Sequence, residues 1–200
     1  EELSTLSESI YDIVILGAGS GGYATALRAA QLGMKVALID GDKVGGTCLH
    51  RGCIPTKAYL HAAETAEAVR ESAKFGVNST FNGIDMAQVG AYRDSVISGL
   101  YKGLQGLLKS RKVELISGWG HLADANTIEV GGQRITGRNI VLATGSYSRS
   151  IPGLDIGGRI ISSDQALQMN WVPSSVVILG GGVIGLEFAS VWRSFGAEVT

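Results

Sequence analysis

Hydrophobic and polar positions follow two rhythms along this chain. Short, nearly continuous apolar runs at residues 10–16, 35–39, 139–142 and 176–179 have the pattern of strands buried on both faces. Longer stretches at 23–32, 58–74, 85–112 and 186–195 space their apolar residues as helices do. Gly33, Gly76 and Gly196 follow three of them as helix-closing signals. Weaker strands are predicted at 113–116, 126–130 and 133–135, read as antiparallel, with Gly131-Gly132 as the tight turn between the last two. A further strand begins at 197. Strands alternating with helices predict an α/β protein with a mainly parallel sheet and a small antiparallel meander.

Two strand-to-helix junctions carry the same glycine pattern. Gly17, Gly19 and Gly22 fit G-x-G-x-x-G after the first strand, and Gly180, Gly182 and Gly185 repeat it after residue 179. In the first copy a helix, a second strand and a terminal acid, Asp40, follow within about 30 residues, the length of a dinucleotide-binding unit. The first glycine allows the tight turn, the second lets backbone approach a pyrophosphate, and the third lets helix pack on strand. The acid is placed to accept hydrogen bonds from the adenosine ribose. A Rossmann-like fold is therefore expected twice, with a boundary near Ile151 that divides the chain into 1–150 and 151–200. The second copy reaches only into its second strand, so the chain is expected to be part of a longer polypeptide.

The chemistry concentrates in Gly45–Lys57. Cys48 and Cys53 are the only cysteines in the chain, four residues apart, with Lys57 four residues beyond. Residues 1–9 are polar and acidic, without the basic and apolar regions of a secretory signal, and no apolar run is long enough to span a bilayer. In the reducing compartment this implies, a close cysteine pair is redox-active or metal-binding rather than a scaffold. Zinc would need ligands beyond the two thiols and His50, which makes it the weaker reading. Pro55-Thr56 sits where a helix can start, placing Cys53 near a helix N-terminus that favours the thiolate. A net charge of −1 without a basic block argues against nucleic acid and anionic membrane surfaces as partners. With 29 glycines against 3 prolines, the composition suits tight strand-to-helix turns better than disorder.

Gly46-Thr47-Cys48, four residues, then Cys53-Ile54-Pro55-Thr56-Lys57 resembles the flavin disulfide reductases, the pyridine nucleotide-disulfide oxidoreductases. Within them it looks most like the branch that oxidises protein-bound dihydrolipoamide, and Gly180–Ala189 is similar to the opening of that family's NAD domain. Asp40 stands where the family more often has Glu, and His50-Arg51 where many members have Asn-Val. The resemblance implies an FAD-binding domain over 1–150 and the start of an NAD-binding domain over 151–200. FAD would be lined by Gly17, Gly19, Gly22, Asp40, Gly46, Thr47, Cys48, Lys57, Gly120, Thr144, Gly145 and Ser146. Gly180, Gly182 and Gly185 would hold the NAD pyrophosphate. Cys48 and Cys53 would form a redox-active disulfide, Cys48 facing substrate and Cys53 facing the flavin. Lys57 would lie near the flavin ring, paired with Glu187.

The resemblance also implies partners: the lipoyl domain of a 2-oxo acid dehydrogenase complex as substrate, and a second copy in a homodimer. The expected compartment is the cytoplasm, or alternatively the mitochondrial matrix. The family's base is a His held by a Glu in a C-terminal interface domain. His50, His61 and His121 stand isolated in the sequence and match no such pair, so the chain alone is expected to be inactive toward dihydrolipoamide. The competing readings are a glutathione or mercuric reductase, a flavoprotein NADH oxidase with idle cysteines, and a non-catalytic FAD-binding fragment.

Overall fold

A computed structural model describes residues 10–200, and the acidic stretch 1–9 lies outside the described residues. The chain forms two compact units, each built from two separate segments. The first takes residues up to Cys48 together with Leu100–Tyr147, and the second takes Leu49–Gly99 together with Ser148–Thr200. One glycine motif falls in each.

The first unit is a sheet with helical cover. Strands β1 (Tyr11–Leu16) and β2 (Val36–Asp40) are joined through helix α1 (Ser20–Gln31) and pair in parallel, Ile13 opposite Val36. Ile13 and Ile15 of β1 pack with Ala26 and Ala29 of α1, whereas Val14 and Leu16 pack with Ile128 and Val130. Burial on both faces is what the continuous apolar stretch Ile13–Leu16 of β1 encodes.

The other strands of the sheet correct the sequence expectations. Residues 113–116 were expected to be antiparallel. They form β3 (Glu114–Ser117), which pairs parallel to β2 with Ala37 opposite Glu114. Four residues cannot reveal strand direction, but the preceding helix is the crossover that parallel pairing requires. The pattern showed no strand where β4 (Gly120–Asp124) runs antiparallel to β5 (Thr127–Val130). The predicted strands at 133–135 and 139–142 are one ten-residue strand, β6 (Gln133–Leu142). Its first half pairs antiparallel to β5 and its second half parallel to β1, giving the order β3-β2-β1-β6-β5-β4. Gly137 lies between the two predicted segments, and a Cβ there would lie 2.7 Å from Cγ2 of Val14. Gly131 and Gly132 make the β5–β6 turn with φ of +56° and +79°, as their sequence predicted.

The helices differ in extent from expectation, and the one predicted at 186–195 starts earlier, at Val183. α1 starts inside the glycine motif at Ser20 rather than at 23. A short helix, α2 (Gly46–Arg51), carries Cys48 and had no periodic signal of its own. Helix α3 (Cys53–Glu71) begins five residues before the predicted start and passes into a 3₁₀ turn, Ser72–Phe75. Pro55 fits its first turn, where a backbone N–H has no helical partner. Helix α4 (Met86–Ser110) gives Met86 to the core of the second unit and Leu108 to the core of the first.

In the second unit α3 packs against α6 (Val183–Phe195). Tyr59 and Ala63 of α3 meet Phe188, Val191, Trp192 and Phe195 of α6, with Leu167 after the short helix α5 (Ser163–Ala166). The two-residue strands β7 (Ser175–Val176) and β8 (Glu198–Val199) pair in parallel, shorter than predicted. Among the described residues no helix is long and apolar enough to cross a membrane, and no cluster of three His, Cys, Asp or Glu could hold a metal.

Candidate functional site

Both glycine motifs fold alike. Gly17 has φ +101° and Gly180 φ +115°, a left-handed backbone that other residues rarely adopt. A Cβ on Gly22 would lie 1.7 Å from the carbonyl oxygen of Gly17, and one on Gly185 would lie 2.0 Å from that of Gly180. The third glycine thus lets the helix close on its own entry turn. The middle glycines, Gly19 and Gly182, are extended caps of α1 and α6 without a side-chain hydrogen bond, and neither helix has an acid in its first turn. Their leading N–H groups and positive dipole ends are left to an anion.

The first motif sits in a more elaborate cradle. A Cβ on Gly46, which has φ +57°, would lie 2.6 Å from the Cα of Gly19, so the two backbones touch. The Gly45 N–H donates to the Ala18 carbonyl at 2.8 Å. A Cβ on Gly17 would lie 2.2 Å from the Ala143 carbonyl oxygen and 3.1 Å from the Cα of Thr144, so the end of β6 closes the other side. Thr144, Gly145 and Ser146 follow exposed, with Gly145 at φ +77°. Asp40, at the end of β2, accepts from the Ala18 N–H at 2.5 Å and the Asp42 N–H at 2.8 Å. Each carboxylate oxygen can accept once more, so the acid both fixes the loop and can still meet a ribose. This set fits FAD at one telling point. A Cβ on Gly19 would meet nothing closer than Gly46 Cα at 3.9 Å, so it would occupy the open space a pyrophosphate needs. Gly120 is packed instead of open: its Cβ would meet Ile128 and Leu16 side chains at 2.9 Å.

Thr47 and Cys48 lie on α2, with Cys48 half-buried, and Cys53 is the exposed first residue of α3. No disulfide joins Cys48 and Cys53 in this structure, where one was expected. Thr56 secures the start of α3, its hydroxyl donating to the Gly52 carbonyl at 2.7 Å. Lys57 lies one turn beyond Cys53, and its Nζ donates to Oε1 of Glu187 on α6, 130 positions away. The lysine side chain is 61% exposed and the glutamate 18%. The hydrogen bond to Glu187 raises Lys57 above the ordinary ammonium value, and the negative charge of a Cys53 thiolate adds to the rise. The lysine therefore remains a cation beside the thiol.

The isolated-histidine reading is corrected at His61 and His121. His61 on α3 has Glu64 at 3.6 Å, and His121 on β4 faces Glu129 at 3.8 Å, both pairs exposed. Two further arrangements escaped the sequence. In the second unit, buried Arg93 donates from Nη1 to the Tyr59 hydroxyl at 3.0 Å and to the Leu167 carbonyl, which also accepts from Tyr59 at 2.9 Å. Nothing in the helical periodicity of α4 marks an inward arginine. In the first unit, Trp119 lays its indole on Gly41, the residue after Asp40. Its signal was a lone aromatic between two glycines directly after a strand.

The chain is similar to known proteins along nearly its whole length. The family model for pyridine nucleotide-disulphide oxidoreductases matches residues 11–200. The chain is 40% identical to a dihydrolipoyl dehydrogenase of Bacillus subtilis, covering 95% of this chain and 43% of that protein. It is 41% identical to one of Acholeplasma laidlawii, covering 95% and 58%. It is 43% identical to a mitochondrial one of Dictyostelium discoideum, covering 94% and 40%. The chain thus spans about half the length of these relatives or somewhat less. With paired glycine turns, a thiol pair and a match over nearly its whole length, the chain belongs to the pyridine nucleotide-disulphide oxidoreductase family.

Proposed function

We propose that this chain is the FAD-binding and thiol-bearing part of a dihydrolipoyl dehydrogenase, which oxidises protein-bound dihydrolipoamide and reduces NAD+. The observation that carries it is the contact of Gly46 with Gly19: two residues before Cys48, the thiol stretch is built into the wall of the dinucleotide loop. Residues 1–150 serve as the FAD-binding domain and 151–200 as the opening of the NAD-binding domain. The relatives' names support the same assignment.

FAD, when bound, supplies the two-electron acceptor between the thiols and NAD+. Gly17, Gly19, Gly22 and the start of α1 hold its pyrophosphate, Asp40 holds its ribose, and Gly46, Thr47 and Thr144–Ser146 line it. In the oxidised protein, Cys48 and Cys53 share a disulfide. A substrate thiolate attacks the Cys48 sulfur, the bond to Cys53 breaks, and Cys53 leaves as a thiolate. The second substrate thiol then displaces Cys48, so the substrate leaves as a disulfide and the protein holds two reduced thiols. Lys57 stabilises the Cys53 thiolate by charge, and Glu187 keeps the ammonium in place. Gly180, Gly182 and Gly185 hold the NAD pyrophosphate. The lipoyl domain of a 2-oxo acid dehydrogenase complex is the dithiol partner and a homodimer the working assembly, in the cytoplasm or the mitochondrial matrix.

The test is purification and titration of the chain. Stoichiometric FAD with a flavin spectrum is expected, and Cys53→Ser should keep the flavin while abolishing its reduction by dihydrolipoamide in the full-length enzyme. Unchanged reduction through Cys53→Ser would overturn the thiol route. The chain by itself is expected not to turn over dihydrolipoamide, and near-native turnover would refute that part.

A further inference from the structure

We infer that Trp119 is the platform on which the adenine ring of the dinucleotide stacks. The inference rests on the dinucleotide reading above and assigns a residue to the nucleoside end of that site. Strands β2 and β3 finish side by side, Asp40 opposite Ser117, and the Gly118 N–H donates to the Asp40 carbonyl at 2.8 Å. Trp119 follows at once, so its indole emerges at the carboxyl end of the parallel strands, where such sheets bind their ligands. Indole atoms Cδ2, Cε2 and Cγ lie 2.4, 2.6 and 2.8 Å from the point where a Cβ of Gly41 would be. Three ring atoms at nearly one distance mean that the ring lies face-down on the glycine backbone. Yet Trp119 is 83% exposed, so its opposite face is open.

A large aromatic held on one face and open on the other is suited to receive a flat ring. The residue next to its seat is Asp40, the acid placed to hold the adenosine ribose, so a base attached to that sugar arrives beside the indole. Stacking suits adenine because it uses the face of the base and needs no particular hydrogen-bond pattern. Gly41 takes part by having no side chain. Its backbone tolerates alanine, since its φ is not in the left-handed region, but a methyl there would lift the indole off its seat.

The experiment is calorimetric titration of the flavin-free chain with ADP and with FAD, in wild type, Trp119→Ala, Trp119→Phe and Gly41→Ala. Thermal melting should be unchanged in the Trp119 variants because the side chain is exposed. Trp119→Ala should weaken both ligands about tenfold or more, and Trp119→Phe should restore most of the loss. Gly41→Ala should weaken both although the tryptophan is still present. ADP should quench part of the tryptophan fluorescence in wild type and not in Trp119→Ala. Wild-type affinity for ADP and FAD in Trp119→Ala would overturn this inference and leave the FAD reading standing. A wild-type chain that binds neither ligand would overturn both.

Discussion

The two glycines at positions 19 and 22 are three residues apart, yet their alanine variants should fail in opposite ways. At Gly22 the added Cβ would stand 1.7 Å from the Gly17 carbonyl oxygen. Real contacts of this kind stay above about 3 Å, so α1 and the entry turn must part by more than about 1.3 Å. Both partners are backbone, so no side chain can swing away. Overpacking that moves backbone costs about 1–3 kcal/mol, and Gly22→Ala belongs at the upper end because Ala26 and Ala29 on the same helix are core residues. At Gly19 the backbone is already extended, with φ −68° and ψ −172°, and the nearest atom to a Cβ is 3.9 Å away. Gly19→Ala should therefore fold within about 0.5 kcal/mol of wild type, while its methyl occupies the pyrophosphate space. The assay pairs urea unfolding of the flavin-free chain with FAD titration. Gly22→Ala should lose stability before any ligand is added, and Gly19→Ala should lose FAD alone. If Gly19→Ala bound FAD as tightly as wild type, the assignment of this loop to the pyrophosphate would be wrong. If Gly22→Ala melted like wild type, the packing argument would be wrong.

Three further outcomes follow from other contacts. Tyr59→Phe removes a buried hydroxyl shared by Arg93 and the Leu167 carbonyl, and should destabilise by about 1–3 kcal/mol in urea unfolding; a change under about 0.5 kcal/mol would contradict the network. Glu187→Gln should return Lys57 toward its ordinary ammonium value, read by NMR titration of the lysine side chain. Because Lys57 is raised on folding, the stability it contributes is present below the ordinary value of 10.5 and is lost as pH rises through the raised one. Tyr11 is pushed up to about 12 by burial first, and then by its hydrogen bond to Glu114. Its neutral form therefore stabilises the fold below pH 10 and ceases to do so as pH climbs from 10 to about 12. Ultraviolet titration of the phenolates should show the lag, and Glu114→Gln should shorten it without abolishing it, since burial is the larger cause.

The sequence made the repeated units legible because their constraints are local. A glycine that must lie against a carbonyl five residues away leaves its mark within one window, and so does an apolar run buried on both faces. Residue type alone also marked Cys48, Cys53 and Lys57. What stayed hidden depends on partners far along the chain. β3 reads the same whether it runs parallel or antiparallel, because direction is set by β2 and by α4. That β6 runs on through Gly137 depends on Val14, more than 120 positions earlier, which lies against it. The pairing of Lys57 with Glu187 was implied by resemblance and not by spacing, and the buried role of Arg93 had no sequence signal, since its partners belong to α3 and to the end of α5.

The place of β6 in the sheet bears on how the chain is made. β1 lies between β2 and β6, and its pairing of Ile13 with Asn139 joins residues about 125 positions apart. At ribosomal speeds of about 5–20 residues per second, β1 is exported on the order of ten seconds before that neighbour exists. During this interval Val14, Ile15 and the rest of a strand that ends with no exposed side chain have an unpaired edge facing solvent. Contacts of such long range also slow the final closure. Newborn chains should therefore depend on a holding chaperone until residue 142 has emerged, and synonymous codons that slow translation between 50 and 130 would prolong that dependence.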